Sequence, residues 1–464
     1  IMKIAFFLVV NSLSLSLVFS QEQLADSIKI SELREVVVTA TRTERNLASL
    51  PLPIAIITSE AISKSGVTRL NEILFEQTGL LTIPDFGGVE GIQVQGLDAS
   101  YTLILIDGVP LVGRSAGTLD LSRISVGNID RIEIVKGASS SLYGSEALAG
   151  VINIITKKPK RDLLSGNLSY RYGSFETNDL NSNVVWKKNK FSGSIFANYF
   201  NTNGYDLNES TPEKTVEPFY NITIQPKFYY DFSDDLKLVV GTRYYNQKQD
   251  YKATIDDEKY KGNSNINEWN SQIKVTHKWN KKFYSEYEFY ATNYKTDEFL
   301  NDSNKQLFEA NFYKQWLFRP EVRTTWSFQK SKLTAGIGLN KETLNRTYFD
   351  SNVVFNSQYA FLQYDYNPTD KWNILAGFRY DNHQEYQSQW SPKFAINYKV
   401  NQNFSLKSSI GYGFKAPDFR QLYFDFSNSA IGYAVFGYNV AETKLDDLDA
   451  QGQILFRYDG IDFN

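Results

Sequence analysis

The 464-residue chain contains no cysteine, one methionine and only two histidines. Without cysteine it can form no disulfide, carry no lipid-modified cysteine and perform no thiol chemistry. His277 and His383 are the only imidazoles and no nucleophile–base grouping surrounds them, so we do not expect an enzyme. The 49 basic and 52 acidic residues nearly cancel. The resulting net charge of −3 provides no attraction for nucleic acid.

Long apolar runs are also scarce, and the one near the start is short. Lys3 precedes the apolar run 4–10, and small residues lead to a possible cleavage point after Ser20. This order predicts a secretory signal peptide over residues 1–20. A membrane anchor is the alternative, but Asn11 and the serines after it interrupt the run well before the ~20 apolar residues that a spanning helix needs. Residues 21–46 then form a leader ahead of the first domain.

Aromatic residues are abundant, with 30 Tyr, 32 Phe and 7 Trp, although the mean hydropathy is only −0.38. In the second half they recur at every other position. In "KWNILAGFRY" (371–380) the outward candidates are Trp372, Ile374, Ala376, Phe378 and Tyr380, and Leu375 is the exception. Segments 283–292, 332–340 and 392–400 alternate in the same way. This period is typical of a membrane β-barrel, but a soluble β-sandwich shows it too.

The lengths of the connections distinguish these two folds. Short polar turns are predicted at 187–190, 232–235, 279–282, 329–332, 367–370, 401–403 and 458–462. Long polar connections separate them at 203–220, 247–267, 296–308, 343–355, 381–390 and 414–445. Short turns on one side and long loops on the other are typical of outer-membrane barrels. We therefore predict an all-β transmembrane antiparallel barrel over residues 161–464, with roughly fourteen strands between Ser165 and Gly460.

Residues 47–160 form a different kind of unit. Segment 69–80 is predicted to be a helix with Leu70, Ile73, Leu74 and Phe75 on one face and Gly79 as its stop. Short strands and glycine turns follow, among them the buried strand "TLILIDG" (102–108). The glycines of 135–151 lack the spacing of a nucleotide-binding loop. The segment is therefore a compact mixed α/β domain.

Six motifs together resemble those of the TonB-dependent outer-membrane receptors. They are "EVVVTATRTE" (35–44), "LNEILFEQTGL" (70–80), "VQGLD" (94–98), "LILIDGVP" (103–110), "RIEIVKGASSSLYGSEALAGVINIITK" (131–157) and "GFKAPDFRQLY" (413–423). The resemblance implies an outer-membrane barrel of about 22 strands whose lumen holds the α/β domain as a plug, with a periplasmic N-terminus. On that count roughly eight strands would be absent, and we expect the chain to be a partial barrel that does not function alone.

The resemblance also gives a role to the β-branched segment 35–44. Such a TonB box adds as a strand to the sheet of TonB, the partner that transmits energy from the inner-membrane complex. A disordered leader rich in Val and Thr is the alternative. The residues expected to bind TonB are Glu35, Val36, Val37, Val38, Thr39, Ala40 and Thr41.

The transported ligand expected from the resemblance is a ferric siderophore or a similar iron chelate, and no permanently bound cofactor or metal is expected. Cobalamin is the alternative, since the acidic run 255–259 could bind calcium as in cobalamin receptors, although a solvated loop explains it as well. Segments 35–160 and 414–445 contain no histidine, which argues against haem. A passive porin and a secreted adhesin are the hypotheses from other classes.

The ligand is expected to bind where the plug loops 84–90 and 111–118 meet the barrel loops 381–390 and 418–445. Arg114 could face an anionic chelate, or it could tie the plug to an acidic residue of the barrel lumen. The candidate ligand-binding residues are Asp85, Phe86, Arg114, Ser115, His383, Phe419, Arg420 and Tyr423.

Overall fold

The structure is a computed structural model, and it describes most of the chain after residue 35. The described residues are 36–37, 42, 45–46, 50–84, 89–114, 117–159, 164–208, 210, 213–255, 257–401, 404–428 and 433–454. Several predicted positions lie outside them: Glu35, Val38, Thr39, Ala40, Thr41, Asp85, Phe86, Ser115 and the turn 458–462. Within the described residues, no helix has the length and apolar character needed to cross a membrane.

The first half of the described chain contains nine short strands and three short helices. The strands are β1 (Val36–Val37), β2 (Arg45–Asn46), β3 (Ile54–Thr58), β4 (Leu80–Pro84), β5 (Glu90–Val94), β6 (Thr102–Ile106), β7 (Val109–Pro110), β8 (Ile129–Lys136) and β9 (Gly150–Thr156). The helices are α1 (Ser59–Ser65), α2 (Leu70–Phe75) and α3 (Ser140–Tyr143). One sheet has the order β3-β8-β9-β6-β7, while β4 pairs with β5 and β1 with β2. This is the mixed α/β domain that the sequence predicts, and we call residues 50–159 the plug.

The plug core follows from its apolar strands. Every residue of β6 and β9 is buried, and the two strands run parallel, as β-branched and leucine-rich strands covered on both faces do. The predicted turn after β6 is present: Asp107 and Gly108 have φ of 52° and 87°, which a two-residue hairpin turn requires.

Helix α2 is shorter than predicted, and one of its four predicted core residues points outward. Leu70, Ile73 and Leu74 are buried, whereas Phe75 is 68% exposed. At about 100° per residue, the first three share one face and a residue five positions after Leu70 lies about 140° away. Phe75 was therefore wrongly placed in the core.

The second half forms a single antiparallel sheet in which each strand pairs with the next. Its strands are β10 (Leu164–Gly173), β11 (Thr177–Lys188), β12 (Phe191–Thr202), β13 (Phe219–Asp231), β14 (Leu236–Ile255), β15 (Glu258–Asn280), β16 (Phe283–Asn301), β17 (Leu307–Ser327), β18 (Ser331–Arg346), β19 (Val353–Thr369), β20 (Trp372–His383), β21 (Gln389–Lys399) and β22 (Ser405–Gly411). Among the described residues β10 pairs only with β11 and β22 only with β21, so the barrel wall is partial.

The wall has thirteen strands where roughly fourteen were predicted. After β22 the chain folds instead into α4 (Phe419–Tyr423), β23 (Asp425–Asn428), β24 (Tyr433–Phe436) and α5 (Tyr438–Ala450). The predicted last strand would have begun after residue 445, where α5 continues to Ala450.

The predicted alternation of the wall is confirmed, and its exception is explained. On β20 Trp372 and Phe378 face outward, 38% and 42% exposed, while Asn373 and Arg379 face the plug, each 3% exposed. Leu375 also faces inward and is only 1% exposed because it packs in an apolar cluster with plug leucines. At Leu375 the inward apolar side chain therefore reflects a contact with the plug.

The structure confirms the predicted short turns at 187–190, 232–235, 279–282, 329–332 and 367–370, whereas the turns at 401–403 and 458–462 lie wholly or partly outside the described residues. Four of the long connections are much shorter than predicted. The predicted loop 247–267 is almost entirely strand, since β14 and β15 stay paired from Leu236↔His277 to Ile255↔Glu258. Similarly, 296–308 shortens to 302–306, 343–355 to 347–352, and 381–390 to 384–388. Loss of the apolar pattern marks only the end of the apolar face, because backbone hydrogen bonds continue whatever the side chains are.

Candidate ligand pocket and plug–barrel contacts

A pocket of about 200 Å³ lies between the plug, inward-facing side chains of β17–β20 and the segment that follows β22. It brings together four of the predicted residues: Arg114, His383, Phe419 and Arg420. Tyr423 lies on the same helix as Phe419 but outside the lining. The side chains that line the pocket include six cations (Arg114, Arg319, Arg346, Arg379, Lys415, Arg420) and four carboxylates (Glu146, Glu342, Asp381, Asp418). The excess of positive charge suits an anionic molecule.

Arg114 is tied to the plug itself. Its Nη2 donates to the Thr102 carbonyl at 2.8 Å, and its Nη1 donates to the carbonyls of Gly117 at 3.2 Å and Ala99 at 3.3 Å. The carboxylate nearest to it, Glu146 at 3.7 Å, also belongs to the plug. Among the described residues no acidic residue of the barrel pairs with Arg114, so the alternative of a tie from Arg114 to the barrel stays a prediction without support there. Arg114 braces the plug loop that lines the pocket.

Arg420 is in a different situation. It lies on α4, and its side chain extends from there to the plug loop. A Cβ added to Gly117 of that loop would lie 3.7 Å from Arg420 Nη2. Its guanidinium has no hydrogen bond or ion pair with any residue that the structure describes. A half-buried cation without a protein carboxylate is a suitable group for an anionic ligand.

An aromatic cluster holds α4 against the wall. Phe419 stacks on Phe355 of β19 with centroids 3.9 Å apart, and His383 meets Phe355 edge-on at 5.0 Å. The His383 ring also stacks on Tyr386 at 3.9 Å. Its Nδ1 accepts the backbone N–H of Glu385 at 3.1 Å, so the other ring nitrogen is the one available to a ligand.

Tyr423 closes the same cluster from the helix side. Its hydroxyl donates to Glu385 Oε2 at 2.7 Å. This hydrogen bond, with a second one from Gln384, holds the pKa of the Glu385 carboxyl below its ordinary value. The loop 384–388 and α4 are thereby joined by rings and by a charge-assisted hydrogen bond.

Sequence reasoning missed the pocket residues that lie on strands, notably Arg346, Arg379 and Glu342. Their inward positions follow from the alternation, but which of them meet depends on the register of β17–β20. Arg379 stacks over the ring of Tyr359 at 3.8 Å and donates to Asp381 at 2.7 Å. The alternation of each strand could have identified the residues that face inward near its outer end, and these are the positions that line the pocket.

Buried ion pairs join the plug, and the segment before it, to the wall. The pairs are Arg42–Glu321 at 2.7 Å, Arg69–Asp179 at 3.8 Å, Asp107–Lys227 at 2.8 Å and Arg123–Glu268 at 3.0 Å. Burial raises the pKa of the Asp107 carboxyl, but the Lys227 ammonium and hydrogen bonds from Thr156 outweigh it and leave that pKa below its usual value.

Arg42 belongs to the segment 35–44 that the sequence assigns to TonB. Its Nη1 donates to both carboxylate oxygens of Glu321, at 2.7 and 3.0 Å, and its guanidinium lies 4.6 Å over the Tyr143 ring. Glu321 accepts two further hydrogen bonds, from Tyr359 Oη at 2.7 Å and Arg323 Nη1 at 3.0 Å. Of the residues predicted to bind TonB, the structure describes Val36 and Val37, which form β1 and pair with β2.

Comparison with known families gives two adjacent matches. Residues 46–151 match the TonB-dependent receptor plug domain, and residues 156–450 match the TonB-dependent receptor-like β-barrel. The second match alone covers more than half of the chain.

Curated relatives and solved structures agree with these matches. The vitamin B12 transporter BtuB of Vibrio cholerae is 27% identical over 84% of this chain and 64% of its own length. The iron-regulated outer membrane virulence protein of the same species is 24% identical over 92% of this chain and 66% of its own length. The siderophore receptor PirA of Acinetobacter baumannii superposes with a TM-score of 0.69 at 20% identity, over 81% of this chain and 62% of that one. The chain thus spans less than two thirds of the length of several of these proteins.

Proposed function

The chain belongs to the TonB-dependent receptor family, and from that premise we propose that it binds an anionic ferric siderophore and takes it up with energy supplied through TonB. The site of binding is the pocket between the plug and β17–β20. The observation that carries the proposal is the surplus of cations there, with Arg420 lacking a carboxylate partner among the described residues. Ferric catecholates and carboxylates are anions that guanidinium groups bind through charge-assisted hydrogen bonds.

In this proposal the pocket residues divide into a binding and a supporting set. Arg420 supplies charge, and the edges of the stacked Phe355 and Phe419 rings that line the pocket supply apolar contact. Arg114 keeps the plug loop in place through its bonds to plug carbonyls. The protein binds and moves its ligand without changing a covalent bond in it.

A cobalamin ligand is the second candidate, because a vitamin B12 transporter is among the curated relatives. Cobalamin carries no comparable negative charge, so the surplus of cations in the pocket would add little to its binding affinity. Charge therefore discriminates between the two candidates.

The experiment measures binding to the chain by quenching of its tryptophan fluorescence, with a ferric tricatecholate, a neutral ferric hydroxamate and cyanocobalamin as ligands. Arg420→Gln is expected to weaken tricatecholate binding about 10- to 150-fold, the effect of losing a charged hydrogen bond of about 1.5–3 kcal/mol. The matched control is Lys252→Gln, at an exposed lysine of β14 outside the pocket. Binding of cyanocobalamin alone would contradict the ferric proposal and support the second candidate.

Energy coupling is tested separately by uptake into cells. Uptake that stops when the proton gradient is collapsed supports a TonB-driven receptor. Uptake that continues at the same rate would indicate a passive pore.

A further inference from the structure

The plug contacts the two sides of the wall through different chemistry. Among the described residues, each buried wall residue that shares an apolar cluster with plug residues belongs to β16–β21, and the partly buried Ile266 of β15 lies at the margin. These residues include Tyr290 of β16, Leu317 of β17, Leu344 of β18, Tyr359 of β19, Leu375 of β20 and Ala395 of β21. The side of the wall formed by β16–β21 therefore holds the plug by apolar packing.

The side formed by β11–β15 meets the plug through polar groups instead. Three of the four buried ion pairs described above lie here, with the wall partners Asp179 on β11, Lys227 on β13 and Glu268 on β15. Uncharged polar side chains meet there too, since Asn128 Nδ2 of the plug donates to Gln225 Oε1 of β13 at 3.0 Å. The interface between the plug and the wall is thus apolar on one side and polar on the other.

Two small cavities lie between the plug and the polar side. The larger, of about 40 Å³, lies beside Lys227 and has room for about three water molecules, and the smaller, of about 10 Å³, lies beside Asn128 and has room for about one. Gln225 and Arg243 line both cavities, and Leu111 lines both the larger cavity and the ligand pocket. The cavities therefore form a series that begins next to the pocket.

The two sides should respond differently when the plug is pulled toward the periplasm. On the polar side water can enter the cavities and replace each partner of a separated ion pair or hydrogen bond. On the apolar side the separated surfaces lose their burial, and water offers them no compensation. Separation should therefore begin along β11–β15, while the plug stays attached to β16–β21.

From this asymmetry we propose that the anionic ligand leaves the pocket between the plug and β11–β15, and that Lys227 binds it on the way. The inference rests on the proposed uptake. Lys227 is paired with Asp107 of the plug at 2.8 Å, so separation of the plug frees this ammonium for an anion. Gly241, on the next strand, leaves the passage open beside it: a Cβ there would lie 3.4 Å from Lys227 Cγ.

Two disulfide tethers test which side of the plug has to open. The chain contains no cysteine, so a pair of introduced cysteines can form a single disulfide within it. Gly127→Cys with Asn181→Cys tethers the plug to β11; Asn181 Cγ lies 3.1 Å from the point where a Cβ on Gly127 would be, which places the two Cβ atoms within about 4.6 Å. Ala138→Cys with Gly411→Cys tethers the plug to β22, beside the apolar side, with Cβ atoms 3.7 Å apart. Disulfides have Cβ atoms about 3.5–4.5 Å apart, so both pairs suit one.

Cells that express the full chain are given a radioiron-labelled ferric tricatecholate, and binding at the surface is measured separately from uptake. The oxidised tether to β11 should lower uptake at least about tenfold with surface binding unchanged, because it blocks the opening step, and a reductant should restore uptake. The oxidised tether to β22 should leave uptake close to the wild-type rate, as should each single cysteine variant, and thiol labelling verifies that each disulfide has formed.

Continued uptake with the oxidised tether to β11 would overturn the inference. Equal loss of uptake with both tethers would also overturn it, because the whole plug would then have to leave the wall. If the wild-type chain neither binds the tricatecholate nor takes it up, the proposed function itself fails, and the inference fails with it.

Discussion

Replacing Arg42 by alanine tests whether the segment predicted to bind TonB is held against the barrel wall at rest. Breaking a buried ion pair costs about 3–5 kcal/mol when the remaining charge is left alone. Here Glu321, with only 2% of its side chain exposed, keeps Arg323 at 3.0 Å and the Tyr359 hydroxyl at 2.7 Å. Arg42→Ala therefore removes one charged hydrogen-bonded contact and one cation–π contact. We expect the free energy that attaches the segment to the wall to fall by about 2–3 kcal/mol.

This free energy applies to the attachment of the segment and not to unfolding of the whole chain. If TonB can pair with the segment only after Arg42 has left the wall, the apparent affinity is reduced by the fraction of released molecules. Arg42→Ala should then raise the affinity for the periplasmic domain of TonB by about 30- to 150-fold. Hydrogen exchange of the amides in 36–46 should accelerate in the same variant, because local opening becomes easier.

Two further variants separate this contact from general damage to the plug. Arg131→Ala removes an arginine that pairs with Glu133 and Asp130 inside the plug, and it should change neither measurement. Glu321→Gln keeps the shape of the acceptor but not its charge, and it should give an intermediate effect. Unchanged exchange and unchanged TonB affinity in Arg42→Ala would refute the reasoning, since the contact would then hold nothing.

Three other predictions follow from the same contacts. Val37→Pro removes a backbone donor from the segment predicted to pair with TonB, so uptake should stop while ligand binding at the cell surface persists; normal uptake would show that the segment is not the TonB box. Gly113→Ala should destabilise the plug by about 2–5 kcal/mol in thermal unfolding, because the new Cβ would lie 2.4 Å from a tyrosine ring at a φ of 90°. The control Gly96→Ala has a similar φ of 79° but open space, and it should cost about 1–2 kcal/mol; equal losses would exclude the contact with the ring. The folded protein lowers the pKa of Asp107, so the stabilisation by its carboxylate is complete above the unfolded pKa of about 3.9 and is lost as the pH falls through the lower folded value. The difference in unfolding free energy between the wild type and Asp107→Asn should therefore shrink below pH ~4. A difference that stays constant with pH would contradict this.

The wall was predictable because its signal is periodic and local. Outward and inward residues follow from the two-residue period, and Leu375 broke the pattern only because it touches the plug. Strand ends were not predictable in the same way. Segment 247–267 is mostly polar, and the alternation of Tyr251, Ala253 and Ile255 is too short to show that the backbone pairing of β14 and β15 continues to Ile255↔Glu258.

The pocket was predictable where a motif, a rare residue or, for Arg114, a position in a plug loop marked it. Phe419 and Arg420 lie in a family motif, and His383 is one of two histidines. Arg346 and Arg379 carried no such mark, because they are two of many inward polar positions. Contacts between residues far apart in the chain could not be predicted from the sequence pattern. Arg42 and Glu321, for example, are separated by 279 residues.

The division between apolar and ionic contacts bears on how a plug can move inside a barrel. The largest apolar core lies wholly within the plug, between Ile57 and Ile154. Much of what joins plug to wall is ionic instead, such as Arg69–Asp179 and Arg123–Glu268. Water can replace a partner of a charged group when the two surfaces separate, whereas separated apolar surfaces lose their burial without compensation. A pull on the N-terminal segment should therefore first hydrate the ionic contacts between plug and wall, beginning at Arg42, while the apolar core of the plug stays intact.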